Sequence, residues 1–289
     1  QDRQVFDQRI FTGFHDLAQD VKLLPPRVFH RDGHLRRVHE PLYLERLVES
    51  APTEGLAMID PDTHLAPGSL HAARLAAGAM EQAVALVLDP REKVKRVFSC
   101  ARPPGHHAEA DRAMGFCLFN NIAIGAMHAI NRYALERVAI VDFDVHHGNG
   151  TEDIVAGDER LLFCSTFQHP FYPHSGYDSQ AANVVNAPLP SGAGSMAFRE
   201  AVETHGLPRL AEFAPQLILV SAGFDAHVDD DMSNVSLTDA DFRWVTKQIV
   251  AIAASSASGR VISVLEGGYE LNSLARCAEQ HVRILMGLH

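Results

Sequence analysis

The chain alternates between short apolar runs and longer amphipathic stretches. Five of the short runs are rich in β-branched residues and are apolar at both odd and even positions. This pattern is typical of strands that are covered on both faces, as in a parallel sheet. The predicted strands are Val97–Cys100, Val138–Phe143, Leu161–Ser165, Leu217–Ser221 and Val261–Leu265.

The stretches between these runs predict helices, because apolar residues recur in them at intervals of three and four. One helix has Thr238 as a suitable N-cap, with acidic residues in the turn that follows. The predicted helices are Leu70–Leu88, Phe119–Tyr133, Phe198–Phe213, Asp239–Ala254 and, approximately, Leu274–Leu285.

Strands that alternate with helices predict an α/β fold in three layers, α/β/α, around a mainly parallel sheet. The sequence contains no internal repeat and no long Gly/Ser linker, so we expect residues 1–289 to form a single domain. In folds of this class, functional sites collect at the carboxyl ends of the strands. Four clusters of polar residues follow predicted strands, and these clusters are the candidates for chemistry.

Composition and charge narrow the functional classes. Hydrophobic residues make up 46% of the chain and charged residues 21%, which is ordinary for a globular protein and excludes large-scale disorder. A formal net charge of -11 argues against a general nucleic-acid binder and suits a cationic or neutral substrate. The sequence leaves open whether the chain forms a homo-oligomer.

Cysteine usage and hydropathy predict a soluble cytoplasmic protein. The four cysteines form no C-x-x-C pair and are expected to be reduced. The first fourteen residues are polar and lack the apolar core of a signal peptide. No apolar run approaches the roughly 20 residues that a membrane span needs.

The segment from Asp142 to Gly150 carries the strongest chemical signal. In an extended chain, residues two apart point to one side, so Asp142, Asp144 and His146 are expected to share a face. An aspartate and a histidine aimed at one point suit a borderline cation such as zinc. Taken alone, Asp-x-His fits a strand-end turn with satisfied polar groups equally well.

The other three clusters add groups that such a metal site would need. His106 and His107 follow a Pro-Pro-Gly turn; they could line one cavity, where histidine is the usual general base, or lie at the surface. Asp225 would supply the third ligand of a zinc site with an open position. Tyr269 follows two glycines and would offer a phenol, on a flexible turn, to a developing oxyanion. Taken alone, the Asp225 and Tyr269 clusters are each more often structural than functional, and the histidine pair fits either interpretation equally well.

Together the clusters resemble the histone deacetylase family, which includes acetylpolyamine amidohydrolases and bacterial deacetylase-like amidohydrolases. The resemblance covers about Val38–Leu285, and its motifs are Pro103–His107, Gly115–Cys117, Asp142–Gly150 and Glu266–Tyr269. It implies an arginase-like α/β fold and zinc-dependent hydrolysis of an acyl-amine, usually acetyl-lysine or a related amide, with one Zn²⁺ per chain.

Carried over residue by residue, the resemblance implies a role for each matched position. Asp144, His146 and Asp225 match the zinc ligands. His107 matches the general base and acid, and Tyr269 the tyrosine that polarises the carbonyl. The remaining matches are Asn149 as the partner of His107, His106 as an electrostatic histidine paired with Asp142, Gly115 as the acceptor of the substrate amide, Phe116 and Tyr172 as tunnel walls, and Met232 at the tunnel rim.

The resemblance also implies a potassium ion behind the zinc, held by Asp142, Asp144, His146, Ser165 and Thr166. Asn149 replaces the aspartate common in class I enzymes, so the chain looks closer to the class II and bacterial branch. One departure lies before Leu24, where the His-Pro-Glu segment usual in the family is not found.

Three alternative functions remain. An acetylpolyamine amidohydrolase would use the same site, although Met232 stands where polyamine enzymes tend to have an acid. Asp225 to Asp229 mimics the Asp-Ala-His-x-Asp motif of binuclear manganese ureohydrolases, in which case His106, His107 and Tyr269 would have no obvious task. A catalytically inactive acyl-amine binding module would be expected to have lost a ligand, the base or the tyrosine.

Overall fold

The computed structural model describes residues 32–288, and a parallel sheet of six strands lies at its centre. A small antiparallel hairpin, with β1 (Ala57–Met58) and β2 (His64–Leu65), precedes the sheet. The strands of the sheet are β3 (Arg96–Ser99), β4 (Val138–Asp142), β5 (Leu161–Gln168), β6 (Val184–Leu189), β7 (Leu217–Ala222) and β8 (Val261–Leu265). All neighbouring strands pair in parallel, in the order β3-β8-β7-β4-β5-β6.

Helices connect the strands, and nine α-helices lie within the described part of the chain. They are α1 (Asp32–Leu35), α2 (Pro41–Ser50), α3 (Ser69–Leu88), α4 (Asn121–Tyr133), α5 (Asn149–Val155), α6 (Ser195–Ala201), α7 (Leu207–Phe213), α8 (Asp239–Ser256) and α9 (Leu271–Leu285). A π-helical turn, Val202–Gly206, joins α6 to α7.

The helices cover both faces of the sheet, which confirms the predicted three-layer α/β/α architecture. On one face, Ile140 of β4 packs in a cluster with Met80 of α3 and Ile122 of α4. On the other face, Val141 of β4 packs in a cluster with residues of α6 to α9, such as Phe242. Every residue of β4 and β7 is buried, and this explains their continuous apolar pattern.

The structure departs from the predicted elements in several places, and the helices α1, α2 and α5 were not predicted. The sixth strand, β6, was not predicted, because it lies at the edge of the sheet, is half-exposed and contains Pro188. The hairpin β1–β2 was not predicted either. The helix predicted at Phe198–Phe213 begins at Ser195 and is interrupted by the π-helical turn ahead of Pro208, which has no N–H to donate.

Among residues 32–288, no helix is both long enough and apolar enough to cross a membrane. The predicted departure from the family pattern before Leu24 lies outside the described residues.

Candidate active site and metal centre

A buried group of two aspartates and one histidine lies at the carboxyl edge of the sheet. Asp144 and His146 follow β4, and Asp225 follows β7. The His146 Nδ1 atom lies 3.1 Å from an Asp144 oxygen and 3.1 Å from an Asp225 oxygen. The three candidate ligand atoms lie within 4.8 Å of one another. Residues 81 positions apart in sequence therefore converge because β4 and β7 are paired neighbours.

Asp144 and His146 lie in a turn after β4, whereas the sequence predicted an extended strand with alternating side chains. The strand β4 ends at Asp142. The turn that follows is held by carboxylates, each of which accepts the backbone N–H two residues further along the chain. Asp142 accepts from the Asp144 N–H at 3.1 Å, and Asp144 accepts from the His146 N–H at 2.9 Å. Asp142 Oδ2 lies 3.0 Å from His106 Nδ1, and Asp144 Oδ1 lies 3.9 Å from His106 Nε2, so both carboxylates face the His106 ring.

Two glycines allow the backbone to approach these carboxylates. A Cβ atom on Gly223 would lie 2.1 Å from Asp144 Oδ2, and one on Gly267 would lie 2.2 Å from Asp225 Oδ2. The Gly267 N–H also donates to Asp144 Oδ2 at 2.7 Å. The turn before Tyr269 therefore requires glycine for close packing, and the expected need for flexibility is not its reason.

The charges of this group suit a divalent cation. Burial, reinforced by neighbouring Asp144, raises the pKa of Asp225 to about 6. Burial alone would lower the pKa of His146, but the two carboxylates outweigh it and raise that pKa to about 10. The two buried carboxylates thus share the one proton on His146 Nδ1. A metal cation in place of that proton would neutralise the charges of both carboxylates. Two carboxylates and one imidazole are ligands that zinc accepts, and three protein ligands leave a position open for substrate; the donor set therefore fits zinc.

A pair of histidines with rings tilted against each other lies beside this group. The rings of His106 and His107 have centroids 4.0 Å apart, and both residues are buried. His106 Nδ1 lies 3.0 Å from Asp142 Oδ2, and His107 Nδ1 lies 2.7 Å from Asn149 Oδ1. The two histidines lie side by side in the interior, and neither is a surface residue.

The two histidines differ in charge because their partners differ. Burial lowers the pKa of His106, but Asp142, Asp144 and Glu266 outweigh this and raise it to about 10. Burial and the positive charges of His106 and His146 hold the pKa of His107 well below its usual range. His106 is therefore the cation of the pair, and His107 is neutral.

Aromatic rings and one glycine surround the polar groups. The Tyr172 ring lies edge-on to His107, with centroids 5.3 Å apart, and the Phe116 ring lies 6.4 Å from that of Tyr269. Burial raises the pKa of Tyr269 far above its usual range, so its phenol remains a donor. Gly115 has φ +56°, and a Cβ atom there would lie 2.3 Å from the His107 ring.

The rim is less acidic than the run Asp229-Asp230-Asp231 suggests. Asp230 is 5% exposed and accepts the backbone N–H groups of Tyr269 and Glu270, at 2.6 and 2.9 Å. Its other oxygen accepts the N–H of Met232, a residue that is 36% exposed. Asp229 pairs with Arg276 at 3.1 Å.

Three positioning carboxylates were missed by sequence reasoning. Glu266 accepts the N–H groups of Gly105 and His106, at 2.7 and 3.2 Å, and so fixes the loop that carries both histidines. Glu109 accepts the Asn149 side-chain amide at 2.6 Å. The third is Asp230. Of these three, only Glu266 could have been identified from the sequence, because it directly follows a predicted strand.

The predicted potassium ligands lie at the adjoining strand ends. The pairing of β4 with β5 places Asp142 beside Ser165, and Thr166 follows in β5. The Ser165 hydroxyl lies 3.1 Å from His147 Nδ1.

The ureohydrolase-like motif does not converge on one metal pair. His227 Nε2 lies 3.2 Å from Asp239, and His227 Nδ1 accepts the Asp229 N–H at 3.0 Å. Asp225 joins Asp144 and His146. The histidine of the motif therefore belongs to a different cluster from its first aspartate.

Comparisons with known proteins identify the family of the chain. The family model described as Histone deacetylase domain matches residues 8–285. The chain is 38% identical over 271 residues to a probable deacetylase of Archaeoglobus fulgidus, covering 92% of this chain and 74% of that protein. It is 37% identical over 264 residues to the histone deacetylase-like amidohydrolase of Pseudomonas aeruginosa, covering 89% and 69%.

A solved structure extends the similarity to the fold. The crystal structure of the HDA15 HD domain matches with a TM-score of 0.88 and 30% sequence identity, over 97% of this chain and 81% of that one. The chain spans 84% of the length of an uncharacterized protein of Synechocystis and 14% of that of a type-2 histone deacetylase of Dictyostelium discoideum. The chain thus belongs to the histone deacetylase domain family of hydrolases and has the arginase/deacetylase fold.

Proposed function

We propose that the chain is a zinc-dependent deacylase that hydrolyses acyl-amides, with acetyl-lysine or a related acylated amine as substrate. The observation that carries this proposal is the convergence of a buried His–Asp–Asp group, a neutral histidine and a tyrosine phenol at one edge of the sheet. Four free cysteines support an enzyme of a reducing compartment, which we take to be the cytoplasm.

In this proposal, Asp144, His146 and Asp225 hold the zinc. When bound, zinc supplies a Lewis acid for the acyl carbonyl and for the attacking water. A potassium ion held by Asp142, Asp144, His146, Ser165 and Thr166 is part of the same proposal and rests on the family resemblance.

His107 is proposed as the group that moves the proton. The amide of Asn149 donates to Glu109, so its oxygen faces His107 and accepts from the Nδ1–H of that ring. The lone pair of His107 then lies on Nε2, where it can take a proton from water and return it to the leaving amine. The cation at His106, held by Asp142, stabilises developing negative charge.

The other residues orient the substrate in this proposal. Tyr269 donates its O–H to the acyl oxygen, and such a donor contributes roughly 3 kcal/mol to transition-state stabilisation. Phe116 and Tyr172 enclose the aliphatic stem of the acylated amine. The Gly115 carbonyl accepts the substrate N–H, and Met232 contributes to the mouth of the tunnel.

The rim favours acyl-lysine over acetylpolyamines. Of the three adjacent acids, Asp230 is used by backbone N–H groups and Asp229 by Arg276. The third acid, Asp231, is exposed, and its neighbour in the chain is the apolar Met232. A polycation therefore finds little charge to bind.

A fluorogenic acetyl-lysine peptide tests the proposal. The enzyme should turn over this substrate, lose activity with a chelator and regain it with Zn²⁺. Turnover that persists in the chelator, or a protein that binds the peptide without cleaving it, would contradict the proposal; the second result would favour a binding module. Two manganese ions per active site and cleavage of a guanidino compound would favour a ureohydrolase.

A further inference from the structure

Apart from the candidate active site, two groups in the described chain could hold a metal ion. One consists of His227, Asp239 and Cys277. Its Asp239 oxygens already receive His227 Nε2 at 3.2 Å, the Cys277 thiol at 3.1 Å and Arg276 at 3.3 Å. This network is internally satisfied and needs no ion.

The other group consists of His34, Glu81 and His128, which come from three helices. His34 lies on α1, Glu81 on α3 and His128 on α4. One potential ligand atom of each lies within 4.8 Å of the other two. The rings of His34 and His128 stack with centroids 5.8 Å apart, and the carboxylate of Glu81 lies beside both.

Two polar atoms of this group are buried without a hydrogen-bond partner. Glu81 is 2% exposed and His128 is 7% exposed. The Glu81 Oε1 atom is bonded to His34 Nδ1, but Glu81 Oε2 and His128 Nδ1 have no hydrogen-bond partner. Each buried polar group left without a hydrogen bond costs about 1–3 kcal/mol of stability, so such groups are rare in native proteins. One cation between them would satisfy both.

The charges around the group oppose a cation, because Arg37 acts on both Glu81 and His128, and Arg132 acts on His128. The affinity for a metal ion must therefore come from direct bonds to the three ligands.

We propose that His34, Glu81 and His128 form a second divalent-metal site, distinct from the active site, which takes zinc and fastens α1 to α3 and α4. Two imidazoles and one carboxylate are a donor set that zinc accepts. A small cleft lined by His34, Arg74, Gly78 and Glu81 reaches the group, and three protein ligands leave a fourth position of the metal for a small ligand from solvent. The site does not depend on the proposed function, because it shares no residue with it.

Zinc stoichiometry tests this site. After chelation and dialysis, the full chain is titrated with Zn²⁺ and its bound metal is measured by elemental analysis; Co²⁺ absorption gives an independent reading. Wild type should bind one zinc more than Glu81→Gln and than His128→Gln, with acetyl-lysine turnover in both variants within about twofold of wild type. His71→Gln removes an exposed histidine of α3 and should bind as wild type does.

A second readout uses the active-site variant Asp225→Ala as background. Zinc should raise the melting temperature of Asp225→Ala and leave that of Asp225→Ala/Glu81→Gln unchanged. If Glu81→Gln does not fold, His128→Gln decides. Folded variants that bind zinc in the same number and with the same affinity as wild type overturn the site, whatever the activity of the enzyme. Loss of zinc only on Asp225→Ala would also overturn it.

Discussion

Replacement of Asp230 by alanine should impair catalysis although Asp230 lies outside the metal and histidine groups. Its carboxylate accepts three backbone N–H groups, and two of them belong to the turn that carries Tyr269. Hydrogen bonds to a charged group contribute about 1.5–3 kcal/mol each, and water replaces part of this at a partly exposed rim. We expect Asp230→Ala to lose about 2–4 kcal/mol of stability.

The same change should lower kcat, because the Tyr269 phenol is no longer held in place. A tenfold loss corresponds to about 1.4 kcal/mol, which is less than the roughly 2–4 kcal/mol that those hydrogen bonds contribute, so kcat should fall at least about tenfold. The assay compares kcat for an acetyl-lysine peptide in folded Asp230→Ala and in Asp231→Ala. Asp231 is the exposed neighbour, and its replacement should change kcat less than about twofold.

A double-mutant cycle separates positioning of Tyr269 from general loosening of the fold. If Asp230 acts through Tyr269, then Asp230→Ala should cost little further kcat in a Tyr269→Phe background. Full additivity of the two losses, or wild-type kcat in folded Asp230→Ala, would refute the reasoning.

Three further predictions concern catalysis, acid stability and substrate choice. Tyr269→Phe should fold normally and lose at least about 100-fold in kcat, and His107→Ala should lose as much with its zinc retained; near-wild-type turnover in either would contradict their roles. Burial lowers the pKa of His281 to about 3, whereas the unfolded chain takes up this proton below about 6.5, so the free energy of unfolding should fall as pH drops from about 6.5 toward 3. His281→Gln should flatten that slope in urea titrations, and an unchanged slope would assign the acid sensitivity to other groups. The kcat/KM for an acetyl-lysine peptide should exceed that for acetylputrescine, with only a modest decline as salt rises; a tenfold preference for acetylputrescine would move the protein to polyamine chemistry.

The sequence predicted the sheet well where strands are buried on both faces. In β4 and β7 every residue is buried, so the apolar run is unbroken and its ends are marked by polar residues. The edge strand β6 includes Asn186 and Pro188, and it resembles a loop in composition. Motifs at the ends of the predicted strands could therefore be located, whereas β6 could not; the other edge strand, β3, has an apolar centre and was predicted.

The residues that support the site were harder to predict. Asp230 and Glu266 act on backbone N–H groups 39 and 161 positions away, and a backbone N–H has no signature in sequence. The group of His34, Glu81 and His128 depends on how α1, α3 and α4 pack together, which the spacing of these residues does not indicate. Sequence patterns identified the residues that carry chemistry because they cluster locally, and missed those whose partners are distant.

The zinc content and turnover of Asp225→Ala test the central claim most directly. Asp225 is fully buried, and its Oδ2 atom lies 3.1 Å from His146 Nδ1. With only Asp144 and His146 left, the zinc site is incomplete. Asp225→Ala, measured beside wild type and in a Glu81→Gln background, should lose one zinc per chain and all measurable acetyl-lysine hydrolysis. A folded Asp225→Ala protein that keeps its full zinc content, or that hydrolyses the peptide at the wild-type rate, would contradict the account.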